Sequence, residues 1–397
     1  MKILITGAFG FVGSNLSAHL AAKGYELWAL DVKETSSKGL KCGSSKVERD
    51  SRQDAKTLTG EGPNAQRTTH NAQRSSSGQG AYVRCFGWEE LERIPWNEVD
   101  AVVHLAGKAH DTRNTSDPQS YFDVNVGLTK RVLEAAAGNG QSAISKGSDG
   151  HVGAKAQRIF VLFSSVKAVA DRVEGVLTEE ATPDPKTPYG QSKLEAEREV
   201  LKFASSKVRD SGTAYGANRA DDDNFRTLAL SSFRTYVLRP CMIHGPGNKG
   251  NLNLLYGVVR RGAPWPLGAF ENRRSFASVQ NVCAVVEALL EGAAEPGVYQ
   301  VADDKALSTN ELIRVISETS GRRARIWKLP LALVRGVARV GDALHLPLNS
   351  ERLMKLTESY VVSNAKIKAA LGWDRMPVDV RDGIRKTLKS LAVDNKQ

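Results

Sequence analysis

Lys2-Ile3-Leu4-Ile5-Thr6-Gly7-Ala8-Phe9-Gly10-Phe11-Val12-Gly13 opens the chain, and its reading decides the fold. The apolar run Lys2-Ile3-Leu4-Ile5 suits a buried strand, the glycines break it, and Ser14-Asn15-Leu16-Ser17-Ala18-His19-Leu20-Ala21-Ala22 reads as a helix. Strand, tight turn and helix in that order give each glycine a task. Gly7 permits the turn, Gly10 lets backbone approach a pyrophosphate, and Gly13 lets helix pack on strand. The unpaired amides of the helix start, at Phe11 and Val12, then face the anion. Gly24 ends the helix, Tyr25-Glu26-Leu27-Trp28-Ala29-Leu30 makes a second strand, and Asp31 sits at its tip. A carboxylate there accepts both hydroxyls of an adenosine ribose and repels a 2′-phosphate, which favours NAD over NADP, with Lys33 as a nearby opposing charge.

Outward from this unit the chain alternates strand and helix. Ala101-Val102-Val103-His104-Leu105-Ala106-Gly107 reads as a buried strand ending in small residues, and Asn125 to Ala137 as an amphipathic helix. Ile159-Phe160-Val161-Leu162-Phe163 is a further strand ending in Ser164-Ser165, and Tyr236-Val237-Leu238-Arg239 is the next. The pattern predicts an α/β fold: a Rossmann-type, doubly wound parallel sheet with ligands at the carboxyl ends of its strands, and a smaller C-terminal substrate-binding lobe. The boundary is expected near residue 242, with 1–242 binding the dinucleotide and 243–397 forming most of the second lobe, partly interleaved with the first. Three polar stretches, roughly 35–80, 138–157 and 204–231, lack apolar periodicity and read as inserted surface loops.

Tyr189-Gly190-Gln191-Ser192-Lys193 begins a helix. Tyrosine and lysine four residues apart share one helix face, so the lysine can act on the phenol. A free phenol, with a pKa near 10, is a poor base at neutral pH unless positive charge stabilises the phenolate; Lys193 and an oxidised nicotinamide would each supply it. A serine hydroxyl completes the set by bonding the substrate oxygen. Ser165 is preferred to Ser164, which should point to the opposite face. The expected catalytic residues are therefore Ser165, Tyr189 and Lys193. His104 reads as a packed strand-end residue, whereas His110 and His244 are candidates to line a sugar site.

Composition narrows the alternatives. The chain has 397 residues, is 41% hydrophobic and 25% charged, and contains no apolar run long enough to span a bilayer. The N-terminus enters a strand directly, without the features of a signal peptide, so a cytoplasmic protein is expected. Four cysteines (Cys42, Cys85, Cys241 and Cys283) lie far apart, which suits reduced thiols; no metal is expected. Part of the net charge of +11 falls in the polar stretches, without aromatic interleaving, and that placement argues against nucleic-acid binding. Leu329 to Val340 is apolar with scattered arginines: a surface helix of the second lobe, with contact to a membrane or a lipid-linked sugar as the alternative.

With these residues in place the chain resembles the extended short-chain dehydrogenase/reductases, the NAD-dependent epimerase/dehydratase family, and most of all its UDP-glucose 4-epimerase-like members. The matching features are the glycine turn, Asp31, His104-Leu105-Ala106-Gly107, Asn125-Val126, Ser164-Ser165, the Tyr189 pentad, Leu238-Arg239-Pro240, His244-Gly245-Pro246-Gly247 and the closing Leu371-Gly372-Trp373. The resemblance implies NAD held by Gly7, Gly10, Phe11, Val12, Gly13, Asp31, Leu105, Ala106, Gly107, Asn125, Tyr189 and Lys193. It implies a UDP-linked sugar held by Ser165, Tyr189, Asn251 and Leu252, with Arg274 clamping the diphosphate. It further implies a homodimer and a place in nucleotide-sugar metabolism for polysaccharide biosynthesis. Met242 stands where many relatives carry a substrate-binding asparagine, and His244 replaces their usual tyrosine, so the sugar is open. Val166 and Lys167 follow Ser165 where sugar dehydratases carry an acidic pair, which disfavours a 4,6-dehydratase. The leading expectation is a nucleotide-sugar 4-epimerase acting by transient oxidation at C4. The alternatives are a 4-keto nucleotide-sugar reductase and a dinucleotide-binding sensor without turnover.

Overall fold

The computed structural model of the protein describes residues 1–32, 82–109, 117–138, 157–209, 233–248, 250–344 and 349–394. The three polar stretches fall almost wholly outside these residues, as do Lys33, Cys42, His110 and Lys249.

The first part of the chain runs β1 (Lys2–Thr6), α1 (Phe11–Ala22), β2 (Glu26–Asp31), β3 (Tyr82–Gly87), β4 (Ala101–His104), α2 (Pro118–Phe122), α3 (Leu128–Gly138), β5 (Arg158–Phe163), β6 (Val176–Leu177), α4 (Pro188–Arg209) and β7 (Phe233–Pro240). It continues through β8 (Met242–His244), α5 (Asn251–Arg260), β9 (Phe276–Ser278), α6 (Val279–Leu290), β10 (Gly297–Val301), α7 (Thr309–Thr319), α8 (Leu331–Ala343), α9 (Ser350–Thr357), β11 (Val361–Val362), α10 (Ala365–Leu371) and α11 (Val380–Asp394). Seven strands form one sheet in the order β3-β2-β1-β4-β5-β7-β10, and every pairing is parallel. Chain order reverses between β1 and β4, so a crevice opens there above the carboxyl ends of the strands, as in Rossmann-type folds.

Strand periodicity sorts the core. Ile3 and Ile5 face one side, packing with Leu16 and Leu20 of α1 and Val282, Val285 and Val286 of α6, whereas Leu4 faces the other with Trp28, Val102, Val132 of α3 and Val200 of α4. Both faces are covered, which is why these strands read as continuous apolar runs. Each such side chain contributes about 1.5–3 kcal/mol by leaving water.

Beyond β7, the chain leaves the sheet, returns through α6 and β10, and leaves again. Helices α5, α7 and α11 enclose a second core around Leu252, Tyr256, Leu312, Ile316, Ile384 and Leu388. A reciprocal cap starts α7: Ser308 Oγ accepts from Glu311 N at 3.0 Å and Glu311 Oε2 accepts from Ser308 N at 2.8 Å. A small separate cluster of Leu267, Val334, Ala338 and Leu353 seats α8 and α9.

Candidate active site

The glycine turn is held by steric and polar constraints together. Gly7 has φ of +66°, its N donates to Leu30 O at 2.9 Å, and a Cβ on it would stand 2.8 Å from Ala106 N. A Cβ on Gly13 would meet Gly7 O at 2.4 Å, so helix α1 approaches the turn as only glycine allows. Gly10 precedes the helix and offers no side-chain cap to the first-turn amides, which include those of Phe11 and Val12. The carboxylate of Asp31 accepts from Phe9 N and Val32 N, each at 2.8 Å. It therefore orders the turn before any ribose arrives. Asp31→Ala removes both acceptors, and NAD affinity measured by titration calorimetry is expected to fall at least tenfold, about 1.4 kcal/mol; unchanged affinity would separate Asp31 from the cofactor.

Beneath the crevice a chain of hydrogen bonds crosses the switch point. Thr129 Oγ1 donates to Asn125 O at 2.7 Å, so it accepts from His104 Nε2, 3.0 Å away. Nδ1 is then the acceptor for Thr6 Oγ1 at 2.8 Å, and Thr6 in turn accepts from Ala106 N at 3.1 Å. Every link has one consistent direction. Burial, with the Lys193 charge adding to it, drives the imidazole pKa down to about 3, so His104 is neutral. It acts as a fixed spacer between β1 and the segment bearing Asn125.

Asn125 lies in a single π-helical turn, Asp123–Gly127, between α2 and α3. Its Oδ1 accepts from Lys108 N at 2.8 Å, and its Nδ2 donates to Ser192 Oγ at 2.9 Å. The hydroxyl of Ser192 passes the connection to Tyr189 O at 2.9 Å. The helix carrying tyrosine and lysine is thereby tied to the crevice floor.

Ser165 and Tyr189 meet, and Lys193 follows Tyr189 by one turn of α4. Ser165 ends the loop after β5, and its side chain hydrogen-bonds the Tyr189 phenol. Tyr121 of α2 packs against the same ring edge-on, with centroids 6.1 Å apart. Lys193 Nζ donates to Phe163 O at 3.0 Å, and a Cβ on Gly107 would lie 3.0 Å from that nitrogen and 2.7 Å from Asn125 Oδ1. A side chain at Gly107 would therefore crowd Asn125 Oδ1 and the Lys193 ammonium. Burial lowers the Lys193 pKa to about 8, partly countered by the Glu197 charge one turn on. Burial likewise raises the Tyr189 phenol above its ordinary value, the Ser165 bond opposing it. The acidifying influence expected from Lys193 is not among the causes acting on the phenol; its ammonium is engaged by Phe163 O.

Ser164 points elsewhere: its hydroxyl bonds Glu197, which Arg239 grips through Nε–Oε1 at 2.9 Å and Nη2–Oε2 at 2.6 Å. This buried ion pair fixes α4 to β7 beneath Lys193. Sequence reading missed the parts played by Tyr121, Lys108 and Glu197. The cap signature Asp117-Pro118 was a signal that could have located the helix of Tyr121, but no pattern disclosed its partner.

On the sugar side the expected residues are dispersed among different roles. Arg274 Nε donates to Glu358 O at 3.1 Å and its Nη2 to Lys355 O, while its backbone pairs with Leu307. Leu252 is buried in the second core. Asn251 starts α5, and its side chain lies outside the described residues. His244 is buried: its Nδ1 is 2.9 Å from Thr387 Oγ1 of α11, and Nε2 is 3.5 Å from Asp303 Oδ2 just after β10, so it packs inside the fold instead of lining an open crevice. Lys167 lies over the Tyr360 ring at 4.2 Å and donates to Asp171 O at 2.6 Å, beside Arg274. Among the described residues no cluster of metal-ligating side chains occurs.

Comparison with known proteins agrees with this architecture. Residues 3–302 match the model of the NAD dependent epimerase/dehydratase family. The chain is 25% identical over 313 residues to the UDP-glucose 4-epimerase of Vibrio cholerae, covering 77% of this chain and 80% of that protein. It is 28% identical over 235 residues to the N-acetyl-alpha-D-glucosaminyl-diphospho-ditrans,octacis-undecaprenol 4-epimerase of Escherichia coli O157:H7, covering 59% of each. The crystal structure of the Thermus thermophilus UDP-glucose 4-epimerase in complex with NAD superposes with a TM-score of 0.62 at 20% identity, covering 99% of both chains, and shares the fold.

Proposed function

We propose, from the premise that the chain belongs to the NAD-dependent epimerase/dehydratase family, that it is a nucleotide-sugar 4-epimerase acting on a UDP-hexose or UDP-N-acetylhexosamine. The residues fit the cofactor: the cradle a Cβ would fill at Gly7 and Gly13, the open first-turn amides of α1, and Asp31 at the tip of β2. Bound NAD supplies a reversible hydride acceptor. The protein's own part is proton transfer and orientation. Tyr189 takes the proton from the C4 hydroxyl, Ser165 hydrogen-bonds the same oxygen, and Lys193 contributes positive charge beside the phenol. The 4-keto sugar turns within the site, held by its diphosphate through Arg274 and the lobe formed by residues 243–397. With hydride returned to the opposite face of C4, Tyr189 would give its proton back to the C4 oxygen. To grip a diphosphate with paired donors, the guanidinium of Arg274 would release the carbonyls of Glu358 and Lys355. In this reading two copies pair through the helix that carries Tyr189.

The observation that supports the reading is the hydrogen bond between the Ser165 side chain and the Tyr189 phenol, with Lys193 one turn further along the same helix. The test is incubation with UDP-glucose and with UDP-N-acetylglucosamine, followed by chromatography. Interconversion with the 4-epimer is expected for one of them without added cofactor. No new sugar from either, with steady NADH or NADPH consumption on a 4-keto sugar, would replace the epimerase by a reductase.

A further inference from the structure

The segment 321–344, far along the chain from the catalytic residues, carries an apolar stripe that the fold leaves uncovered. Helix α8 buries Val334, Ala338 and Gly341 against the body of the lobe. Leu333, Val337, Val340 and Leu344 follow one another at spacings of four, three and four residues, and each is 49% to 64% exposed. At 3.6 residues per turn they form a stripe only roughly 60° wide, distinct from the buried side. Three residues before the helix cap at Pro330, Trp327 is 55% exposed, on a strip whose backbone pairs with Trp265 and Gly268.

Charge accompanies the stripe. Arg322, Arg323, Arg325, Lys328, Arg335 and Arg339 lie in this segment with a single acid, Asp342. Asp342 is turned to the next helix, accepting from Ser350 N at 2.9 Å and Ser350 Oγ at 2.5 Å. Arg322, Arg323, Lys328, Arg335 and Arg339 form no ion pair with a described carboxylate. On the helix, Arg335 and Arg339 occupy a third side, neither buried nor apolar, and their long stems reach outward.

We propose that this face docks on an anionic phospholipid surface, with α8 lying in the interfacial plane, its stripe entering the acyl boundary and the cations meeting lipid phosphates. An exposed apolar stripe on a helix that carries arginines on its polar side, with an exposed indole in the segment before it, is the composition that partitions to such an interface. A second copy fits less well, because a two-fold contact through this face would set its basic cluster against the same cluster.

The test is sedimentation of the full chain with vesicles of phosphatidylcholine alone and of phosphatidylcholine with about 30% phosphatidylglycerol. Binding is expected to the anionic vesicles, to fall steeply as salt shortens the screening length, and to be near background on the neutral ones. Leu333→Glu with Val340→Glu, both at exposed sites, is expected to bring binding to background with the melting curve unchanged. Arg335→Gln with Arg339→Gln is expected to weaken it about 25-fold, fivefold for each charge near the surface. Failure of the native chain to sediment with anionic vesicles would overturn the proposal. So would a dimer by analytical ultracentrifugation that the double Glu variant dissociates while vesicle binding stays the same.

Discussion

Replacing Tyr189 by Phe is expected to lower turnover at least a thousandfold while leaving NAD bound. The substitution keeps the ring that packs edge-on against Tyr121 and removes only the hydroxyl that bonds Ser165. A positioned general acid–base group contributes about 10²–10⁴ in rate, and here one phenol would serve both proton removal and proton return, which places the loss toward the upper end. The check pairs two measurements: turnover on the sugar that the native protein converts, and mass spectrometry of small molecules released on denaturing each purified variant. Loss of turnover with NAD retained assigns Tyr189 to the chemistry. Turnover within tenfold of native would remove it from that role, whatever the cofactor content.

The second large effect concerns acid stability. His104 has a native pKa of about 3 against about 6.5 in an unfolded chain, because burial penalises the imidazolium. The sign follows directly. Above 6.5 both states hold neutral imidazole and the contribution is constant. Between 6.5 and about 3 the unfolded chain binds a proton that the native one refuses, so stability falls with pH by about 1.4 kcal/mol per unit. Over the whole interval the loss is on the order of 5 kcal/mol, comparable to the net stability of many domains. His104→Gln keeps a donor and an acceptor but does not titrate. It is expected to be less stable than the native chain at pH 7, since the link from Thr6 to Thr129 is disturbed, yet to show a flatter decline between pH 6.5 and 4.5. Urea denaturation midpoints across that range measure both slopes. Parallel slopes would show that His104 is not the group that titrates.

These two residues differ in how visible they were before the fold was known. Tyr189 announced itself by a lysine at helical spacing and by a strand-end serine in the preceding unit, all local patterns. Its pKa did not, because burial and the engagement of Lys193 by Phe163 O depend on neighbours remote in sequence. His104 was legible as a packed strand end. Its tautomer required Thr6 and Thr129, which lie 98 and 25 residues away. Of the two serines after β5, strand alternation pointed to Ser165, and the coordinates set Ser164 against Glu197 on the other side. Sugar-side residues were the least legible. Arg274 was identified by family likeness alone, and its carbonyl partners at Lys355 and Glu358 come from a segment some eighty residues on.

The sequence by itself determined the strands β1, β2, β4, β5 and β7 with the helices between them, the glycine turn with its acidic partner at Asp31, and the tyrosine–lysine pair. These rest on spacing along the chain: period two in buried strands, helical period in α4, and glycine where a side chain cannot fit. Tertiary structure alone decided which way the hydrogen bonds run through His104, that Glu197 and Arg239 pair beneath Lys193, and that Leu333, Val337, Val340 and Leu344 face outward while Val334 and Ala338 face in. Periodicity marks α8 as amphipathic, but with apolar residues on two adjoining sides only the packing partner selects the side that is buried. The physical reason is common to all three: burial and directional bonding depend on what lies across the gap, and that neighbour is supplied by folding.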